Sequence, residues 1–298
     1  MNMKKNKKIT GLGEILWDLL PDGKQLGGAP ANFVYHAQQL GYDGQIVSAI
    51  GHDDLGDEII QRLQNKNMDC RYITKSEKYP TGKVEVELDG EGNPEYNIIE
   101  NVAWDHIPYS DQLEKLARQS DAVCFGSLAQ REPQSRETIQ KFIRHTSRNC
   151  IKIFDINLRQ NYYNRQIIKT NIELTSVLKL NTDELNELSS MFSINGTENN
   201  ILEELLEKFD LQLIALTKGS SGSKLKSQDE ISYLEPLTTD IKDTVGAGDS
   251  FTAALASGLL QGLSLRNCHK NANLLASYVC AKDGATPTIT DNILERLK

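Results

Sequence analysis

Short apolar runs and longer amphipathic stretches alternate through the middle of the chain. Asp121-Ala122-Val123-Cys124-Phe125 reads as a buried strand, residues 134–148 as a helix, and Ile151-Lys152-Ile153-Phe154 as a strand again. Val177-Leu178-Lys179-Leu180 is a further strand, followed by a helix over about 182–191 and another strand over 211–216. Strands alternating with helices predict right-handed βαβ units, and so a mostly parallel sheet covered on both faces. The C-terminal third reads as helical, over 247–261 and then 264 to about 282, ending at Gly284 and Pro287.

Two segments break this rhythm. Residues 13–26 carry apolar positions around the turn Pro21-Asp22-Gly23. Over 81–99 the pattern has a period of two, with Val84, Val86 and Leu88 on one side and Glu85, Glu87 and Asp89 on the other. Asp89-Gly90-Glu91-Gly92-Asn93-Pro94 then turns the chain back through Tyr96 and Ile98, a hairpin signal. Antiparallel strands inserted in a parallel chain predict a small separate sheet. It is either a lid or an ordinary surface hairpin.

One pattern carries chemistry most strongly: Asp243-Thr244-Val245-Gly246-Ala247-Gly248-Asp249-Ser250-Phe251, at the start of a predicted helix. Two glycines around one alanine leave the backbone amides of Gly246, Ala247 and Gly248 bare, and glycine at 248 permits φ > 0 there. At a helix N-terminus such amides, aided by the helix dipole, form an anion hole. That hole suits the charge spread over a phosphoryl group in transfer. Asp249, in the first turn beside it, can take the proton of an attacking hydroxyl. Helix capping alone accounts for an acidic residue there but not for the two glycines.

Three weaker signals accompany it. Leu26-Gly27-Gly28-Ala29-Pro30-Ala31-Asn32 leads into a helix that stops at Gly41, and reads either as a glycine-rich turn or as a close approach to a ligand. In the second reading Asn32 offers a donor and an acceptor to a polyol, and Asp18 accepts from hydroxyls. Asn181 and Glu184, just past a strand end, can reach phosphate and the water shell of Mg²⁺, or merely cap the next helix. Thr217-Lys218-Gly219-Ser220-Ser221-Gly222 is small enough for Thr217, Gly219 and Gly222 to approach a nucleotide, or is a plain turn.

Composition narrows the classes. The 298 residues carry 33 Lys and Arg against 41 Asp and Glu, a net charge of −8, which argues against a broad nucleic-acid surface. An acidic protein binds an anionic nucleotide through local amides, a few cations and metal ions. The five scattered cysteines include no Cys-x-x-Cys and read as reduced thiols. No apolar run approaches the ~18 residues of a membrane span. Residues 1–8 hold four lysines but no apolar stretch follows, so they read as a tail, and the default expectation is a cytoplasmic protein. There is no Gly-x4-Gly-Lys-Ser/Thr and no Gly-x-Gly-x-x-Gly. The five histidines lack metal-ligand spacing and read as surface or packing residues.

From about Gly11 to Pro287 the chain resembles the ribokinase-like (PfkB-type) carbohydrate kinase family. The segment Gly27 to Asn32 looks like the family's first signature and Asp243 to Phe251 like its second. Gly13-Glu14-Ile15-Leu16-Trp17-Asp18, Ala103-Trp104-Asp105 and Asp155-Ile156-Asn157-Leu158-Arg159 are most similar to bacterial fructokinases. The resemblance implies a single three-layer α/β/α domain over 1–298, with lid segments at about 14–27 and 81–100; the apolar face of Val84, Val86 and Leu88 on the second segment adds the expectation of a homodimer through the lid. It implies ATP as donor and Mg²⁺ as bridging ion. Sugar contacts fall at Asp18, Gly27, Gly28, Asn32, Asn157 and Arg159, the base at Asp249 and the anion hole at Gly246, Ala247 and Gly248. Asn181, Thr217, Gly219 and Gly222 meet the nucleotide, Glu184 holds Mg²⁺ through water, and Asp243 and Val245 lie near a monovalent cation, K⁺. The expected reaction is fructose plus ATP. The alternatives are another sugar or 2-keto-3-deoxygluconate, a nucleoside (against which the 6% aromatic content speaks), and a non-catalytic sugar sensor.

Overall fold

In the computed structural model, alternate residues of the central strands enter two different cores. In β8 (Ala122–Phe125), Val123 and Phe125 enter one core and Ala122 and Cys124 the other. The same division separates Phe154 from Ile153 in β9 (Ile151–Asp155), Leu178 from Val177 in β10 (Val177–Asn181) and Ile214 from Leu213 in β11 (Leu213–Thr217). The first core is completed by α3 (Asp111–Gln119), α4 (Pro133–His145), α5 (Arg165–Glu173), α6 (Thr182–Phe192) and α7 (Glu198–Phe209). The second is completed by α1 (Ala29–Gln39), α2 (Asp54–Asn65), α8 (Ala247–Leu260) and α9 (Leu265–Cys280). Strands buried on both faces carry continuous apolar runs, and the result is three layers.

The structure describes residues 7–20, 23–88, 94–237 and 239–297, with backbone alone at 86–88 and 94–96. Most of the predicted tail (1–6), the turn residues Pro21 and Asp22, the turn over 89–93 and the side chains of Val86 and Leu88 lie outside the described residues. The remaining strands of the large sheet are β1 (Lys8–Leu12), β4 (Asp43–Gly51), β5 (Ile73–Ser76), β12 (Ser223–Ser227) and β13 (Ile231–Leu234). Their order is β13-β12-β11-β10-β9-β8-β1-β4-β5, with antiparallel pairing only at β12 and β13. The pattern did not single out β1 and β4, because Thr10, Gln45 and Ser48 interrupt their apolar runs; all three are buried, and Thr10 Oγ1 bonds Ser120 Oγ at 2.8 Å.

The second sheet is separate, in the order β3-β2-β6-β7, from β2 (Leu16–Leu20), β3 (Gly23–Gly27), β6 (Gly82–Leu88) and β7 (Pro94–Ile98). Both expected antiparallel hairpins are present, joined by parallel pairing of β2 with β6. Its base is held to the body twice. Asp53, the N-cap of α2, accepts from the Thr81 amide at 2.8 Å and the Thr81 hydroxyl at 2.5 Å. On the other side the Arg131 guanidinium pairs with the buried Asp105 at 2.7 Å and donates to the Ile99 carbonyl, and the Tyr162 hydroxyl donates to the Ile98 carbonyl.

Several boundaries differ from the pattern. The expected strand over 211–216 begins at Leu213, because Asp210 takes φ 51° to end α7 and the Leu211 amide caps that helix on the Leu206 carbonyl. The helix expected to Arg148 stops at His145, where Thr146 is extended and its hydroxyl donates to the Ile143 carbonyl. The last long helix ends at Cys280 rather than near Lys282. Among the described residues no helix is long and apolar enough to cross a membrane.

Candidate active site

The carboxyl ends of β1, β9, β10 and β11 point to one edge of the large sheet. The chain leaves β1 towards β4 on one side and returns as β8 on the other, so the strand order reverses there. Ligands of open α/β sheets bind at such an edge.

Gly246 is the N-cap of α8 at φ 75°, and a Cβ there would strike the Ala285 carbonyl at 2.5 Å, so both conformation and space demand glycine. The Ala247 amide donates to the Thr244 carbonyl at 3.3 Å. Within the helix the amides of Gly246, Gly248 and Asp249 have no carbonyl one turn back. Of the three amides expected to form the anion hole, that of Ala247 makes this long turn bond, and the amide of Asp249, next along the helix, has no carbonyl one turn back either. Gly248 has ordinary helical backbone, and the expectation of φ > 0 holds at Gly246 instead. Glycine at 248 serves a close approach, since a Cβ there would lie 3.3 Å from Lys179 Nζ.

Asp249 Oδ2 accepts from Asn32 Nδ2 at 2.9 Å, which joins α8 to α1 across 217 positions of sequence. Burial, together with the charge of Asp155, pushes the Asp249 carboxyl up to about 6, against the pull of Asn32, Lys179 and Arg159. Asn32 is buried in the first turn of α1, whose N-cap is Gly28 at φ 120°. A Cβ on Gly28 would meet the Glu14 carbonyl at 2.5 Å, and one on Gly27 would collide with the Asp18 carboxylate. Burial raises Asp18 to about 6, with the Arg159 charge opposing. Arg159 is exposed, and Asn157 is half-buried with φ 43°, in the left-handed region that asparagine enters more readily than most residues. Asp18, Gly27, Gly28, Asn32 and Asp249 are thus brought together, with Arg159 near enough for its charge to reach both aspartates.

Asn181 and Glu184 form a reciprocal capping box at the start of α6, with bonds of 2.8 and 2.9 Å. Glu184 is buried, its second oxygen accepts from the Leu158 amide at 2.9 Å, and burial raises its pKa. Each oxygen accepts one backbone bond and keeps a lone pair free for a further donor or a cation. Among the described residues no group of three or more His, Cys, Asp or Glu is placed to hold a metal. Mg²⁺ carried on nucleotide phosphates keeps most of its water and needs no such cage. The segment Thr217 to Gly222 is the turn between β11 and antiparallel β12, with Gly219 open on all sides and Gly222 packed under Leu234. Asp243 accepts from the Val245 and Gly284 amides at 2.9 and 3.1 Å, tying the loop before α8 to the one after α9.

Four residues that sequence reasoning did not assign belong to this edge. Lys179 Nζ donates to Asp155 Oδ1 at 2.8 Å, and the Thr252 hydroxyl, whose one proton is shared between the Gly248 carbonyl at 2.9 Å and Asp155 Oδ2 at 3.1 Å, lies against the same carboxylate. Glu14 is buried, one of its carboxyl oxygens lacks a partner, and burial lifts it to about 7. A charged residue inside the run Val177 to Leu180 was the available signal for Lys179. A cavity of about 570 Å³ lies elsewhere, lined by Leu234, Leu237, Asn267, Lys270 and Arg296. It holds no cluster of carboxyl groups, and the chemistry directs attention to Asp249 instead.

The profile of the pfkB family carbohydrate kinases matches residues 22–292. A Pyrococcus horikoshii sugar kinase described as uncharacterized is 30% identical over 94% of this chain and 92% of its own. Its solved structure superposes with a TM-score of 0.83 over 97% of both chains, and it has also been solved with ATP. An ATP-dependent 6-phosphofructokinase of Thermoanaerobacterium thermosaccharolyticum is 25% identical over 96% and 92% of the two chains. A fructokinase of Salmonella typhimurium is 26% identical over 85% of each. The three-layer arrangement is that of solved ribokinase-like enzymes.

Proposed function

The chain belongs to the pfkB family of carbohydrate kinases, phosphotransferases with an alcohol acceptor, and we propose that it phosphorylates a free sugar, fructose first among candidates, with ATP as donor. One observation carries the reading: a half-buried carboxyl, Asp249, is fixed by Asn32 in the same helical turn as unsatisfied amides. The carboxylate takes the proton of the attacking hydroxyl, and the amides meet the phosphoryl oxygens. Asp18, Gly27, Gly28, Asn32, Asn157 and Arg159 bind the acceptor. Asn181, Thr217, Gly219 and Gly222 border the nucleotide, and Glu184 holds the water shell of the ion. Mg²⁺ supplies charge neutralisation on the phosphates when bound. Asp243 and Val245 border a K⁺ site, in keeping with a Vibrio cholerae fructokinase solved with fructose, ADP and potassium ion.

The test is ATP turnover with fructose, ribose, 2-keto-3-deoxygluconate, fructose 6-phosphate and nucleosides. Fructose should give the highest kcat/KM; a 100-fold preference for any other acceptor overturns the fructose assignment. Activity should vanish in excess chelator and return with Mg²⁺, and it should rise in K⁺ relative to tetramethylammonium. Full activity in chelator contradicts the first expectation, and equal rates in both cations the second.

The small sheet acts as a lid over the acceptor, and a second copy packs on it to form a homodimer. The small four-stranded sheet stands apart from the large one, so its faces are available to the acceptor and to a second copy, and closure excludes competing water. Because Thr81, Ile98 and Ile99 are bonded to the body, fructose should slow amide exchange in peptides covering 84–88 and 94–97, with smaller changes at 81–82 and 98–99. Val86→Lys should weaken the dimer in sedimentation. A monomer whose exchange ignores fructose removes the lid reading.

A further inference from the structure

Lys179 is the cation buried among the acidic groups of this edge. Burial alone would push its ammonium down, but the charges of Asp155, Glu184 and Asp249 more than reverse this, so it holds its proton more tightly than a free lysine. Its position is unusual. Nζ abuts Gly248 in the first turn of α8, 3.3 Å from where a Cβ would stand. The N-terminal end of a helix is already positive, by about half an elementary charge, so a cation placed there is favoured only with anions beside it. A buried ion pair is weak grounds for stability, since well-packed apolar residues commonly replace one at no loss.

We propose that Lys179, anchored by Asp155, is a positioning residue of the transfer step: its ammonium group backs the first turn of α8 and balances the negative charge of Asp249 and of the phosphoryl group in flight. The inference rests on the phosphotransfer reading above. In that step the acceptor oxygen bonds to the γ-phosphorus and the bond to the β–γ bridging oxygen breaks, its electron pair leaving with ADP. The acceptor proton passes to Asp249, and Lys179 keeps its three protons throughout. Asp155 raises the Asp249 carboxyl while Lys179 and Arg159 lower it; Glu14 faces the same group from the end of β1, and Asn32 from α1. Lys179 thus helps to keep Asp249 ionised at neutral pH.

The experiment compares Lys179→Met, Lys179→Arg, Asp155→Asn and the double variant Asp155→Asn/Lys179→Met. Lys179→Met should lower kcat by about 100-fold, the size of losing one preorganised donor, with fructose affinity by calorimetry nearly unchanged. The acid limb of its kcat/KM profile should move to higher pH, and Lys179→Arg should recover part of both effects. The double variant decides against a structural role. If Lys179 merely neutralises Asp155, removing both restores turnover to near the parent and the proposal is overturned; if its charge serves the transfer, the double variant stays impaired. Where the single variant does not fold, the charge-balanced double variant still gives this answer. Binding of ADP with aluminium fluoride, a mimic of the group in transfer, is a readout independent of turnover: it should weaken in both Met variants, and unchanged binding overturns the proposal. A fully active Asp249→Asn would remove the base assignment without altering that binding result, so the two failures are distinguishable.

Discussion

Asp249→Asn should keep the fold and lower kcat by about 10²–10⁴-fold, the range for loss of a general base. The amide of asparagine fills the same volume and can keep a bond to Asn32, but it cannot take the acceptor proton. The parent's own profile carries the same signature: with the carboxyl at about 6, turnover should rise with pH through that value and level off above it. Stability should move in the opposite sense. The folded value lies above the ordinary 3.8, so the contribution of this group is fully present below about pH 4 and lost as pH rises through 6. At pH 8 the penalty on the buried carboxylate is on the order of 1–3 kcal/mol, and the asparagine variant escapes it. It should therefore melt at or above the parent at pH 8 while turning over far more slowly. Turnover within a few-fold of the parent would remove Asp249 from its role, and a lowered melting temperature would show that the carboxylate is not strained by burial.

Gly248→Val should reduce kcat by about 10²–10³-fold, comparable to losing an oxyanion donor, and leave sugar affinity nearly intact. Gly248 has ordinary helical backbone, and valine has higher helix propensity than glycine, so the fold has no backbone reason to fail. The new side chain lies over the amides of the first turn and against Lys179, whose Nζ and Cε stand 3.3 and 3.8 Å from the added Cβ. Both the hole and the cation behind it are displaced. The fructose contacts proposed at Asp18, Gly28 and Asn32 belong to other elements and should persist. Calorimetry with fructose beside the turnover rate separates the outcomes, and equal loss of both would mean general disruption of the site.

The sequence by itself determined which stretches form strands and helices in the middle of the chain, that two hairpins form a separate sheet, and that a glycine-bracketed helix start carries an aspartate. Those features are local: a period of two or 3.6 residues records which side of an element meets the core, and a glycine pair before a helix exposes amides whatever lies around them. The pattern was weakest where a strand held satisfied polar groups, as at Thr10 of β1 and at Gln45 and Ser48 of β4. It also misplaced ends set by a single dihedral, as at Asp210. Which charged groups share one poorly solvated volume was decided only by the tertiary structure. Asn32 meets Asp249 across 217 positions, and Asp155 meets Thr252 across 97 and Lys179 across 24. No periodicity encodes such meetings, because they follow from how the sheet and α8 close on each other. The raised carboxyls of Glu14, Asp18 and Asp249 exist only once that closure has removed water from around them.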